Sequence, residues 1–257
     1  MRKLLQRLRQ RSEQRVLERR AIPEALWQQT LSHYPFLARR DPADVAELRR
    51  LSSLFLDRKE FSGAHGLEVD DTMAVAIAAQ ACLPVLRLGL QAYDGFVGIV
   101  VHPDEVQVRR EFVDDDGVVH EYDDVLSGEA VEGGPMMLSW RDVAEAGDTS
   151  AWGYNVVIHE FAHVLDMGDG VADGIPPLPG AVERQRWQDV LTREYAAFCD
   201  ALAARRGTVL DPYGATAPEE FFAVATEAFF VVPHDLSAEM PALYALLSGY
   251  FRQDPAR

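Results

Sequence analysis

The chain has 257 residues, 48% of them hydrophobic, which is enough for a sizeable core and too apolar for a disordered chain. Its formal net charge of −16 excludes the broad positive footprint that a direct nucleic-acid binder needs to neutralise phosphates. Two cysteines, Cys82 and Cys199, give no disulfide framework and suit a reducing cytoplasm.

Charge is unevenly spread. Residues 1–20 hold eight Lys or Arg and two Glu, a net of +6, whereas the rest holds 17 basic and 39 acidic residues, a net of −22. We read 1–20 as a basic N-terminal arm or helix and 21–257 as one domain. The arm's Leu4, Leu5, Leu8, Val16 and Leu17 fit an amphipathic helix at an anionic membrane. A solvated helix or disordered terminus is the commoner outcome and the one expected here. The segment lacks the apolar centre and small-residue cleavage site of a secretory signal.

Apolar periodicity then predicts helices near 3–19, 23–32, 43–57 and 71–90. The stretch from Met73 to Leu90 is the most apolar. Gln80, Pro84 and Arg87 interrupt it, so it falls short of the roughly 20 residues that span a bilayer, and a buried helix is expected. Strand signals follow at Phe96–His102, Val106–Val113, Val118–Tyr122 and Met136–Trp140, with Asp115-Asp116-Gly117 as a hairpin turn. Helical patterns return near 152–166, 181–206, 217–231 and 240–250. The fold class is α+β, mainly helical, with a small sheet. A strand beside the helix of 152–166 would offer an edge on which a peptide backbone could pair.

That helix carries the most informative stretch, His159-Glu160-Phe161-Ala162-His163. Residues i and i+4 of a helix share a face, so both imidazoles can reach one ion. Glu160 is turned about 100° away and can act on a water at the ion's open position. This is the H-E-x-x-H pattern, with its Glu as general base. The flanking Val156, Val157, Ile158, Val164 and Leu165 require burial. Two buried His and a buried Glu on such a helix need a compensating charge, which a cation supplies.

A catalytic zinc takes three protein ligands and keeps a fourth position open. Asp169 stands six residues after His163, at the third-ligand distance of the extended motif, but Asp166 occupies the position where that motif turns at Gly. The other candidate is Glu220. It follows Thr216-Ala217-Pro218-Glu219, which reads as a capping box, and it sits among the apolar residues of Phe221-Phe222-Ala223-Val224. A lone carboxylate there is unfavourable and a ligated one is not. Glu220 is therefore our choice, with Glu219 as a capping residue. Glu227, two turns on, is either an acceptor for a ligand His or an ordinary partly exposed Glu. Asp166 is either an orienting group or simply the helix end.

Two blocks, His159-Glu160-Phe161-Ala162-His163-Val164-Leu165-Asp166 and the run from Asp211-Pro212-Tyr213-Gly214 through Glu219-Glu220-Phe221-Phe222, resemble the Mlc titration factor A family of bacterial zinc peptidases. That family's metal site is similar to the one in the catalytic domain of anthrax lethal factor. The resemblance extends over nearly the whole chain after the first twenty residues, with weaker matches at Ala81–Leu86, Gly133–Trp140 and Phe251–Pro255. It implies a zincin-like metallopeptidase domain with zinc on His159, His163 and Glu220, and Glu160 as base. It also implies that Tyr213 stands near the metal, where a phenol could donate to an oxyanion. His120 resembles a family histidine that reaches the metal when the site is closed.

The function expected is zinc-dependent hydrolysis of peptide bonds, aminopeptidase-like on short peptides, by attack of zinc-bound water assisted by Glu160. The alternative that the resemblance implies is a regulatory protein that sequesters a transcriptional repressor of sugar uptake, of the Mlc type, with a regulated or vestigial zinc site.

Overall fold

Among the described residues, helices come first and last, and a small sheet stands between them. The computed structural model describes residues 12–113, 119–126, 128–130, 134–147 and 153–257, and for residues 106–113, 119–126 and 129–130 only the backbone. Residues 12–19 are helical. Val16 and Leu17 pack against the core, and Arg19 Nη2 lies 2.6 Å from Asp57 Oδ1. The first part of the helix expected over 3–19 lies outside the described residues.

Next come α1 (Glu24–His33), the single turn α2 (Pro35–Ala38) and α3 (Pro42–Arg58). Pro35 and Pro42 each stand in the first turn of their helix, where no N–H is needed. The helix expected over 71–90 is shorter: α4 spans Asp71–Cys82, with Asp70 Oδ1 accepting from Met73 N. Pro84, two residues beyond, has no N–H to continue the ladder. Gly89, at φ 87°, turns the chain into a 3₁₀ turn at Leu90–Tyr93.

The sheet is built from β1 (Glu60–Gly63), β2 (Gly98–His102), β6 (Met136–Ser139) and β5 (Gly128–Ala130), in the order β1-β2-β6-β5. The first three strands are mutually parallel, and β5 runs antiparallel on β6. Parallel neighbours need a long crossover, which α4 supplies between β1 and β2. The periodicity predicted neither β1 nor β5. Glu60-Phe61-Ser62-Gly63 is mostly exposed and has no apolar run, and β5 has only three residues.

Strands β3 (Val106–Val113) and β4 (Val119–Leu126) form a separate antiparallel ribbon. The expected turn at Asp115-Asp116-Gly117 lies outside the described residues. Ser139 ends β6 and caps the short α5 (Trp140–Glu145), so Trp140 is helical rather than the end of a strand.

The second helical half holds α6 (Val156–Asp166), α7 (Ala181–Ala203), α8 (Pro218–Val231), α9 (Pro233–Glu239) and α10 (Pro241–Phe251). α9 is an additional short helix. Pro233 and Pro241 break the run into two pieces, each beginning with a proline in its first turn. α6 packs between α8 on one side and β5 on the other. Its buried face is anchored by Phe161, whose ring lies 4.8 Å from Tyr93, 5.7 Å from Phe55 and 5.7 Å from Phe96. Truncating a buried aromatic of this kind costs about 3–5 kcal/mol, so Phe161 fixes where α6 lies against α3 and the 3₁₀ turn. Among the described residues, no helix is long and apolar enough to cross a membrane.

Candidate metal centre

α6 begins where Asn155 turns the chain. Its side-chain Oδ1 accepts from Ile158 N at 2.9 Å, and its Nδ2 donates to Gln80 Oε1 at 2.7 Å. The helix therefore starts at Val156 rather than near 152. From it, His159 and His163 project toward α8 one turn apart, with ring centroids separated by 4.8 Å.

Three donors converge. His159 Nε2 is 3.0 Å from Glu220 Oε2 and 3.1 Å from His163 Nε2, and His163 Nε2 is 3.4 Å from Glu220 Oε2. Among the described residues this is the one group of three or more such side chains whose ligand atoms lie within 4.8 Å of one another and could hold a metal ion. On its other side, His159 Nδ1 lies 2.7 Å from Glu227 Oε1. A carboxylate can only accept, so that bond places the proton on Nδ1 and leaves the Nε2 lone pair facing the other donors. Two imidazole nitrogens and a carboxylate oxygen that converge so closely repel one another unless a proton or a cation lies between them. The donor set thus fits a divalent ion, and its N₂O composition suits zinc chemistry.

Without a cation, the charges adjust accordingly. Burial disfavours a charge on His159, but the carboxylates of Glu220 and Glu227 outweigh it and raise the ring's pKa well above the ordinary imidazole value. Burial also acts to raise Glu220, yet hydrogen bonds from His159 and His163 hold its carboxyl down at about 2. Glu160 and Glu227 are both raised, chiefly by burial.

Glu160 is 5% exposed, and its carboxyl lies against β5. There Gly128 gives it room, because a Cβ at that position would come within 2.5 Å of Glu160 Cγ and 2.6 Å of its Oε1. Sequence reasoning missed this contact. No local signal marks Gly128, and the approach exists only once the sheet is assembled. Sequence reasoning also missed Asn155 as the cap; an Asn just before an apolar run is the signal that could have found it, whereas its bond to Gln80 has no local signal.

Tyr213 lies on the turn that leads into α8, 53% exposed, with its ring centroid 6.0 Å from that of His159. Asp211 Oδ1 accepts from Tyr213 N at 2.8 Å, and Gly214 lets the turn sit against Phe221 and Val224. The expected capping box is not formed. Ala217 is the N-cap without a side-chain bond, and Thr216 Oγ1 instead donates to Tyr213 O at 2.7 Å, closing the turn that carries the phenol.

The remaining candidates separate cleanly. Asp169 pairs with Arg184 at 2.9 Å, away from the imidazoles. Asp166 is buried and accepts from Gly174 N at 2.8 Å, so it ties down the loop after α6. Glu227 is the acceptor for His159 rather than an exposed residue. His120 lies on β4 opposite Phe112, and its side chain is outside the described residues.

The chain is 40% identical over 233 residues to an uncharacterized protein of Synechocystis, covering 89% of this chain and 84% of that protein. It is 36% identical over 235 residues to Mlc titration factor A of Salmonella arizonae, covering 90% and 92%. To Mlc titration factor A of Edwardsiella ictaluri it is 38% identical over 224 residues, covering 86% and 85%. The profile of the glucose-regulated metallo-peptidase M90 family matches residues 8–252, and the chain belongs to that family.

Proposed function

We propose that this protein is a zinc-dependent metallopeptidase with a zincin-like domain over residues 21–257. In this reading His159, His163 and Glu220 hold the metal, and the substrates are short peptides cleaved in an aminopeptidase-like manner. The observation that carries the reading is the convergence of those three donors with the buried carboxyl of Glu160 one residue from His159. A cation bound there supplies a Lewis acid that acidifies water and polarises a carbonyl.

The chain's own residues do the rest. Glu160 takes a proton from the attacking water and returns it to the leaving amine, a task that its place beside the ligand His159 suits. Tyr213 donates a hydrogen bond to the developing oxyanion. Glu227 fixes the tautomer and orientation of His159. The preference for short peptides rests on the family resemblance, and the free thiols of Cys82 and Cys199 support a cytoplasmic location.

The test is metal analysis of the purified protein followed by cleavage of a peptide library. Glu160→Gln should retain zinc and lose about a hundred- to ten-thousandfold in turnover, and His159→Ala should lose both metal and activity. Full turnover by the Glu160→Gln protein sinks the reading.

A second reading follows from the relatives named Mlc titration factor A. The protein would then bind a repressor of the Mlc type, with the metal site regulated by that partner. Capture of such a repressor by a metal-free His159→Ala variant supports binding that is independent of hydrolysis.

A further inference from the structure

Of the five buried side-chain atoms that lack a hydrogen-bond partner among the described residues, three lie at the carboxyl ends of two neighbouring parallel strands. They are Nδ1 and Nε2 of His102, the last residue of β2, and Oδ2 of Asp142, just past the end of β6. His102 and Ser139 are register partners on these strands, and Ser139 Oγ accepts from Asp142 N at 3.4 Å. An orphaned buried polar group costs about 1–3 kcal/mol, so the two unpartnered ring nitrogens of His102 call for an explanation. The carboxyl edge of parallel strands is also where α/β sheets bind ligands.

The ring of His102 is 9% exposed and is covered by a second imidazole. His65 stands on the turn after β1, its ring centroid 5.5 Å from that of His102 and tilted by 52°. The turn is built to hold it there. Gly63 has no room for a Cβ, which would fall 1.8 Å from Leu67 O, and Gly66 sits at φ 82°. Ala64 N is bonded to Val101 O at 2.9 Å, and His65 itself adopts φ 53°, a conformation that costs energy for any residue with a Cβ. The His159–His163 pair of the candidate metal centre has a centroid separation of 4.8 Å. One ion held tetrahedrally at about 2.1 Å by two imidazoles places the rings roughly 5 Å apart.

We propose that His65 and His102 form a second cation site, for a divalent d-block ion of borderline softness such as zinc or nickel. The two rings and solvent would complete its coordination. Imidazole suits these ions, and coordination satisfies a nitrogen of His102 that no protein donor reaches. Asp104 and Glu105 follow β2 but are engaged by Arg141 at 2.7 and 2.8 Å. Among the described residues no third ligand joins the pair, so the site is weaker than the His159–His163–Glu220 centre. The ion would pin the turn after β1 to the end of β2, and this assignment does not depend on the peptidase reading.

The experiment is equilibrium dialysis of the full-length protein against zinc and, separately, nickel, with metal-to-protein ratios read by elemental analysis. Wild type should take up a second equivalent at micromolar free metal, and the ring signals of His65 and His102 should shift in histidine-selective nuclear magnetic resonance. His65→Ala removes an exposed side chain and should weaken the second equivalent about tenfold or more while leaving the first intact. His102→Gln should do the same. The paired variant His159→Ala with Glu220→Ala should lose the first equivalent and keep the second. Metal uptake that both His65→Ala and His102→Gln leave undiminished overturns the proposal, whether wild type binds one equivalent or two.

Discussion

Glu227 accepts from His159 Nδ1 at 2.7 Å with one carboxylate oxygen and takes the backbone N–H of Asn155 with the other. One buried side chain on α8 therefore sets both the tautomer of a candidate ligand and the starting point of the helix that carries it. Asn155 in turn reaches Gln80 on α4. Three helices are tied together behind a single imidazole.

Glu227→Gln keeps the shape of that contact but removes its charge. Partners of this kind typically change metal affinity by about 10–100-fold. The expected result is a loss of that size in competition against a colorimetric chelator, with the fold intact by circular dichroism. An unchanged affinity would mean that the Glu227 contact does not tune the metal.

Gly128→Ala tests the approach of β5 to the base. The added methyl would meet Glu160 Cγ and Oε1 at 2.5 and 2.6 Å, so the carboxyl must move. A displacement near 1 Å at a reacting group costs about a hundredfold in rate. We expect kcat to fall by about that factor while metal content stays at the wild-type level. Wild-type kcat in Gly128→Ala removes Glu160 from the reaction or the strand from the site.

Tyr213→Phe separates packing from hydrogen bonding, since the ring is retained and only the hydroxyl is lost. Removal of one oxyanion donor costs about a hundredfold or more in kcat. KM should change little if the bond is made in the transition state. A loss confined to KM would assign Tyr213 to substrate binding instead.

Asp166 is fully buried, and burial pushes its carboxyl up to about 6, with Asp173 nearby adding to the rise and the hydrogen bond from Gly174 opposing it. The folded pKa lies above the unfolded one. Its contribution is therefore fully present below about pH 4 and is lost as pH rises through 6. Asp166→Asn keeps an acceptor for Gly174 N and cannot ionise. Relative to wild type, the variant should gain roughly 3 kcal/mol between pH 4 and 7, the equivalent of a two-unit shift. Urea unfolding of both metal-free proteins at the two pH values measures this, and parallel pH dependences would contradict the assignment.

Local pattern was enough to place His159, Glu160 and His163 on one helix, because a period of 3.6 residues maps spacing onto a face. The same logic located α8 and singled out Glu220 as a carboxylate that a core helix could not bury alone. The alternation of apolar residues found β2, β3, β4 and β6 and the mainly helical α+β class. It failed where an element is short or carries no apolar signal, as in Glu60-Phe61-Ser62-Gly63, whose strand exists only by pairing with Gly98–Val101.

What tertiary structure alone decided are relationships between distant segments. Gly128 against Glu160, Glu227 behind His159 and His65 over His102 each join residues more than thirty positions apart in sequence. Spacing along a chain encodes which side chains share a helix face or strand. It carries no information on which faces meet, because that is fixed by how all the apolar surfaces are buried at once.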